Sequence, residues 1–192
     1  MNLRQFFVGR TIVLFGLLVV VGIALGIYFL IGGKPAVAPI AVTTFEECVA
    51  AGNPVMESYP RQCTSKDGAH FTENIGNTLE KNNFIRLTSP LPNAGVTSPL
   101  TITGEARGNW YFEASFPVFL TDWDGKIIAQ GIATAEGEWM TTEFVPFKAV
   151  LTFSKTDISG QYSNRGTLIL KKDNPSGLPE NDDALEIPVT LR

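Results

Sequence analysis

From Leu100 to Leu120 the apolar residues fall on alternate positions. Leu100, Ile102, Gly104 and Ala106 interleave with Thr101, Thr103, Glu105 and Arg107. Trp110, Phe112, Ala114, Phe116, Val118 and Leu120 interleave in the same way with Tyr111, Glu113, Ser115, Pro117 and Phe119. A period of two sends successive side chains to opposite faces of a strand, so each run buries one face of a sheet and wets the other. Asp124-Gly125 and Glu136-Gly137 turn the chain on either side of Lys126–Thr134, and runs at Val145–Phe153, Gly166–Lys171 and Leu185–Leu191 complete the set. About seven short strands in about 110 residues predict an all-β sandwich. Pro117 has no N–H to give a ladder, which predicts that its strand lies at an edge or is bulged there.

Upstream, Thr11–Ile31 runs for about 21 residues without a charge. At about 1.5 Å of rise per residue that length crosses a hydrocarbon core of roughly 30 Å. A cleaved signal peptide is the nearest competitor, but its apolar stretch is usually only about 7–15 residues. Pro39, directly after Ala36-Val37-Ala38, hinders cleavage at that small-residue triplet. The expectation is therefore a cytoplasmic stub and transmembrane signal anchor at 1–33 and a Gly/Pro-rich spacer at 34–42. Arg4, Arg10 and the terminal amine keep the N-terminus cytoplasmic, against Lys34 on the far side, so the rest of the chain faces outward. Gly22 and Gly26 form a GxxxG through which two such helices can approach and make a homodimer.

Residues 43–75 predict a small module. Thr43-Thr44-Phe45-Glu46-Glu47 has the form of a capping box opening a short helix that Gly52 stops. Val55–Thr64 and Ala69–Asn74 flank Ser65-Lys66-Asp67-Gly68, a hairpin turn signal. So few residues cannot bury a self-sufficient core. Cys48 on the helix and Cys63 on the hairpin, both on the outward side, predict a disulfide that staples the two. The segment Phe45–Cys63 resembles short cysteine-containing stretches of exported bacterial proteins, to which no function attaches. The polar stretch Gly76–Asn83 is expected to be a linker.

Past that linker the strings SPLPNAGVTSPLTITGEARGNWYFEASFPVFL, DWDGKIIAQGIA, GEWMTTEFVPFKAVLTF and LKKDNPSGLPENDDALEIPV follow one another. In that order they resemble the Gmad2 family, an immunoglobulin-like domain of bacterial spore germination, over about residues 84–192. The resemblance implies an immunoglobulin-like β-sandwich and a cell-envelope setting. It implies no catalytic residues and no ligand.

The residues themselves give little support for an enzyme. Hydrolysis by a nucleophile needs a base within reach, and the only histidine is His70, in the small module. Glu105 and Glu113, with Arg107 between them in sequence, are candidate paired carboxylates, which a structural ion network explains equally well. Asp122-Trp123-Asp124-Gly125 resembles part of a calcium loop but runs into a strand where further oxygen ligands are needed, so a hairpin turn is the better reading. The long loop Lys171–Asp183 is rich in oxygen donors, including Glu180, and long loops on rigid sandwiches tend to bind. No catalytic, cofactor-binding or metal-ligating residue is assigned.

The possible binding surface is Tyr111, Phe119, Trp123 and Trp139, aromatics left off the predicted core face that holds Trp110, Phe112 and Phe116, together with Asp173, Asn174, Asp182 and Asp183. Exposed rings of this kind stack on sugars or anchor a protein partner. Removing Arg4, Arg10 and Lys34 leaves 12 basic against 19 acidic residues, a surface that does not suit nucleic acid. The reading is a membrane-anchored binding or scaffolding protein of the bacterial envelope, meeting envelope proteins or wall glycan without a cofactor. The alternative is a purely structural envelope component that assembles with its own copies through exposed strand edges.

Overall fold

The computed structural model of the protein describes residues 42–192, apart from the side chains at 155 and 156. The expected anchor at 1–33, with its Gly22/Gly26 pair, and the spacer up to residue 41 lie outside the described residues. Among those described, no helix is long and apolar enough to cross a membrane.

Thr44 caps helix α1 (Phe45–Ala50): its Oγ1 accepts the Glu47 N–H at 3.2 Å, while Glu47 Oε2 accepts the N–H and hydroxyl of Thr43, each at 2.8 Å. Six residues of helix do not persist unaided, so α1 depends on what it packs against. That support is a three-stranded antiparallel sheet of β1 (Val55–Met56), β2 (Gln62–Thr64) and β3 (His70–Thr72). The stretch 55–64, expected as one strand, folds back at a cis Tyr59–Pro60 bond so that Val55 pairs with Cys63. The β2–β3 turn forms at Ser65–Gly68 as its residues predict, with Gly68 at φ 86°. Cys48 and Cys63 are joined in a disulfide, Cα to Cα 6.1 Å, and are fully buried beside Phe45, Val42, Val55 and Phe71.

After α2 (Thr78–Lys81) come β4 (Ile85–Ser89), β5 (Gly95–Val96), β6 (Leu100–Arg107), β7 (Ser115–Asp122), β8 (Ile127–Ala135), β9 (Phe144–Leu151), the short helix α3 (Lys155–Ile158), β10 (Arg165–Lys171) and β11 (Ala184–Leu191). Their hydrogen-bonded order is β4-β6-β9-β8-β7-β10-β11-β5. Only Thr134↔Lys148 and Ala135↔Phe147 join β8 to β9. The ladder turns there, and β4-β6-β9 covers β8-β7-β10-β11-β5 as the second layer of a sandwich. One core fills the space between, with Ile102 and Phe147 from one layer meeting Phe116, Val118, Leu168 and Ile187 from the other. The Phe116 and Phe147 rings meet edge to face at 5.0 Å. Side chains of this size, fully buried, contribute about 1.5–3 kcal/mol each.

Two expectations change here. The period-two run does not begin at Trp110: Gly108–Trp110 is a 3-10 turn, Glu113 and Ala114 have positive φ, and β7 starts only at Ser115. In the turn, consecutive residues point inward, so Trp110 and Tyr111 are both buried while Phe112 is exposed. Pro117 lies in β7, which is flanked by β8 and β10. Its pairing with β10 begins at Val118, so the chain is single-sided at the proline, and the register shift lies further on, between Leu120 and Thr121.

The stretch Gly76–Asn83, expected as a linker, is docked on β11. Asn77 gives its N–H to Glu186 O at 3.2 Å, accepts the Glu186 N–H on Oδ1 at 2.8 Å, and donates from Nδ2 to Ala184 O at 2.9 Å. Lys81 Nζ pairs with Asp183 at 2.6 Å. Further along the same side of β11, Asn93 N–H donates to Pro188 O, Thr190 N–H to Ala94 O and Arg192 N–H to Val96 O. Residues 42–192 thereby form one compact unit.

Candidate functional site

Between the disulfide-linked module and the outer face of β10 and β11 lies an open cleft of about 1000 Å³. Thr167, Pro188 and Thr190, which alternate with core residues on β10 and β11, form its floor. One wall is the module, through Thr43–Glu46 before and at the start of α1 and His70–Thr72 on β3; the other is made by Asp122, Trp123, Tyr162 and Ser163.

Asp122 builds that second wall. It is buried at the end of β7, where Oδ1 accepts the N–H groups of Asp124 (3.0 Å) and Lys126 (2.9 Å), fixing the β7–β8 turn. Its Oδ2 accepts from Gln161 Nε2 at 3.1 Å, which ties down the segment that carries Tyr162. The two tethers bring the rings of Trp123 and Tyr162 together at 5.6 Å and 55°. Trp123 remains 47% and Tyr162 91% exposed. Arg165, at the start of β10, reaches Glu46 across the cleft at 3.7 Å.

The module is held over the sheet by Glu73 and Asn93. Arg61 grips the Glu73 carboxylate through Nε (2.9 Å) and Nη2 (2.6 Å). Asn93, at φ 64°, donates from Nδ2 to Glu73 Oε1 (3.2 Å) and to Asn74 O (2.9 Å). The Arg61 hydrogen bonds and charge, with Asn93 assisting, hold the Glu73 carboxyl below the ordinary glutamate range. A carboxylate whose pKa falls on folding adds stability that is complete above its unfolded value of about 4.3 and is lost as pH falls through the folded value. Glu73→Gln is therefore expected to be less stable than wild type at neutral pH. The gap in denaturation midpoint should close as pH is lowered from about 5 towards 3; a gap that stays constant would place the effect elsewhere.

The structure scatters the residues chosen from sequence. Trp123 lines the cleft. Phe119 lies half-buried on the outer face of β7, paired with Ile169 of β10 and two residues short of Thr121, which pairs with Thr167 of the cleft floor. Tyr111 is buried rather than exposed; its hydroxyl donates to Val145 O at 2.7 Å, and burial pushes its phenol above the ordinary tyrosine range. Trp139 is half-buried against the core. Asp173, Asn174, Asp182 and Asp183 lie at the other end of the sandwich, separated from Trp123 by the length of β7, since Val118 pairs with Leu170 and Asp122 with Gly166. There Asn174 donates to Asp182 and Leu178, Lys171 pairs with Asp182, and Asp183 with Lys81. Among the described residues no group of three His, Cys, Asp or Glu is placed to hold a metal ion. Glu105 pairs with Arg86 at 3.2 Å on β6, which is not a neighbour of β7, and Glu113 sits in the turn before β7, so the structure does not make a carboxylate pair of them. His70 is hydrogen-bonded to Thr64 Oγ1 at 3.0 Å and borders the cleft.

Sequence reasoning missed Tyr162, Arg165, Glu46 and Asn93. Tyr162 had one local signal: a lone aromatic among Gly, Gln, Ser and Asn, where no core period explains it.

Residues 84–173 match the model of the Gmad2 family, the immunoglobulin-like domain of bacterial spore germination. The match covers the sandwich from before β4 to just past β10. No curated protein and no solved structure matches the chain. Within the chain the Gmad2 match stops short of β11, yet β11 pairs with β10 along its whole length and places Leu185, Ile187, Val189 and Leu191 in the core. The cleft therefore combines one wall and the Thr167 part of the floor from within the matched residues with the disulfide-linked module and the Pro188 and Thr190 part of the floor from outside them.

Proposed function

We propose that this protein is an extracytoplasmic binding module of the bacterial cell envelope, held at the membrane by its N-terminal apolar segment and taking its ligand in the cleft beneath the disulfide-linked module. One observation carries the reading: two exposed aromatic rings, positioned by a buried aspartate, at the wall of an open cleft. Binding sites are concave surfaces where apolar faces and a few placed polar groups converge. The long uncharged stretch Thr11–Ile31 and the disulfide both suit a chain anchored in the membrane with its folded part in an oxidising compartment. The Gmad2 domain supports a setting in spore germination, where the module would tether or position envelope material without chemistry of its own.

The test is site-specific photo-crosslinking of the full chain in native membranes. A crosslinker in place of Ser163, on the cleft rim, is expected to trap an envelope component other than the protein itself. One in place of Val150, exposed on β9, should not. Protease added outside intact cells should reach the folded part. Adducts with copies of the chain alone, or equal trapping at both positions, would favour the purely structural assembly and overturn the binding reading.

A further inference from the structure

Resting on that reading, we infer that the cleft binds a stretch of polysaccharide chain, with pyranose rings stacked on Trp123 and Tyr162. Three features of the cleft select this class. The first is the pair of exposed rings, tilted at 55° to one another. A pyranose presents a C–H-rich face and a hydroxylated rim, so its face packs on an aromatic plane while its rim needs hydrogen bonds. The second is a set of short, neutral polar side chains in the lining: Thr72, Asn74, Ser163, Thr167 and Thr190 supply the hydroxyls and amide that such a rim needs, beside apolar Phe45, Phe71 and Pro188. The third is charge. Arg165 faces Glu46, and the Asp122 oxygens are taken by N–H donors, so among the described residues the cleft has no unmatched Lys or Arg for a phosphate-rich polymer and little attraction for a strongly charged one.

An extended peptide, the other plausible occupant of a long cleft, fits less well. Peptides that bind sheets gain affinity by adding a strand to a free edge. The floor here is a sheet face: β10 is laddered on both sides by β7 and β11, and the outer side of β11 is already hydrogen-bonded by Asn77, Asn93, Ala94 and Val96. A peptide laid across it would leave most of its own N–H and C=O groups without partners, at a cost for each.

The experiment uses the full-length protein in detergent micelles. Its probes are insoluble bacterial wall glycan, in a sedimentation assay, and the soluble β-1,4-linked tetramer of N-acetylglucosamine, read through tryptophan emission. Trp110 is buried and Trp139 half-buried, so a change on adding tetramer reports Trp123. Wild type is expected to sediment with the glycan and to change its emission. Trp123→Ala and Tyr162→Ala should each weaken binding by about tenfold or more, and Tyr162→Phe should retain it. Thr167→Arg, which fills the floor and leaves the aromatics in place, should abolish binding even if an alanine variant were to misfold. No glycan binding by wild type, while Ser163 still crosslinks to a protein, would overturn the polysaccharide inference and leave the binding module standing. Loss of both would overturn the two together. Alanine variants that bind as wild type would move any glycan site away from this cleft.

Discussion

Breaking the Cys48–Cys63 bond is expected to melt the small module while the sandwich stays folded. The bond closes a loop with a sequence separation of 15, for which the chain-entropy account gives roughly 3 kcal/mol. Little else replaces that contribution. Besides the two sulfurs, the buried centre of the module is Phe45, with Val42, Val55 and Phe71 packed partly against it, and α1 is far too short to hold its own turn. The sandwich has a separate core and needs none of these residues. Cys48→Ala with Cys63→Ala is the cleaner variant, because both positions are fully buried and serine hydroxyls there would lack partners. Denaturant unfolding should separate into two steps, the first shifted down by about 2–5 kcal/mol relative to the oxidised protein. Since α1 and β3 form one wall of the cleft, ligand capture should be lost with that first step. A single transition at the wild-type midpoint would refute the division.

Gly76→Ala is expected to unseat the module from the sandwich. Gly76 has φ 66°, and a Cβ added there would lie 1.8 Å from Glu186 O and 2.9 Å from Glu186 C, both backbone atoms with no rotamer to yield. The chain must move, and the neighbour that moves first is Asn77, with its three hydrogen bonds to β11. The combined loss is roughly 2–4 kcal/mol. Gly52→Ala is the matched comparison: its φ is 74°, but nothing lies within 4 Å of the added carbon, so only the backbone penalty of about 1–2 kcal/mol applies. Hydrogen exchange at the Glu186 amide should rise in Gly76→Ala and not in Gly52→Ala. Equal stability of the two variants would show that the junction tolerates the methyl group.

The parts of the molecule that could be read from sequence are those fixed by neighbours in sequence. Alternation located β6 and β8 to β11, Thr44 and Glu47 marked the start of α1, Gly68 and Gly125 marked turns, and two cysteines in a small module predicted their bond. The errors begin where a local pattern is broken by a conformation that pattern cannot reveal. Trp110, Phe112 and Ala114 keep a period of two through a 3-10 turn and two positive φ angles, so Tyr111 was placed outside and Phe112 inside, the reverse of what the structure has. The cleft was illegible for another reason. Its walls come from residues near 44, 71, 122 and 162 and its floor from residues near 167 and 189, and only the register of β7, β10 and β11 brings them together. The four loop residues at 173–183 carried the same chemical hints as Trp123 but belong to the opposite end of the same strands.

The side chain of Asn77 performs a task usually left to backbone. Its amide donates to the Ala184 carbonyl and accepts from the Glu186 N–H in the places where a further strand would do so, and Pro188, the next outward-facing residue, has no N–H to leave unpaired. Along Ala184–Glu186, where β5 does not reach, the sheet is thus terminated by a residue that lies before the Gmad2 match begins. A fragment cut to the matched family boundary at Phe84 would remove that terminator and bare the Glu186 amide and carbonyl, turning a sealed margin into a template on which fragments can stack into polymers. The stretch Gly76–Asn83 is therefore part of the edge of the sandwich and not a passive connection to it.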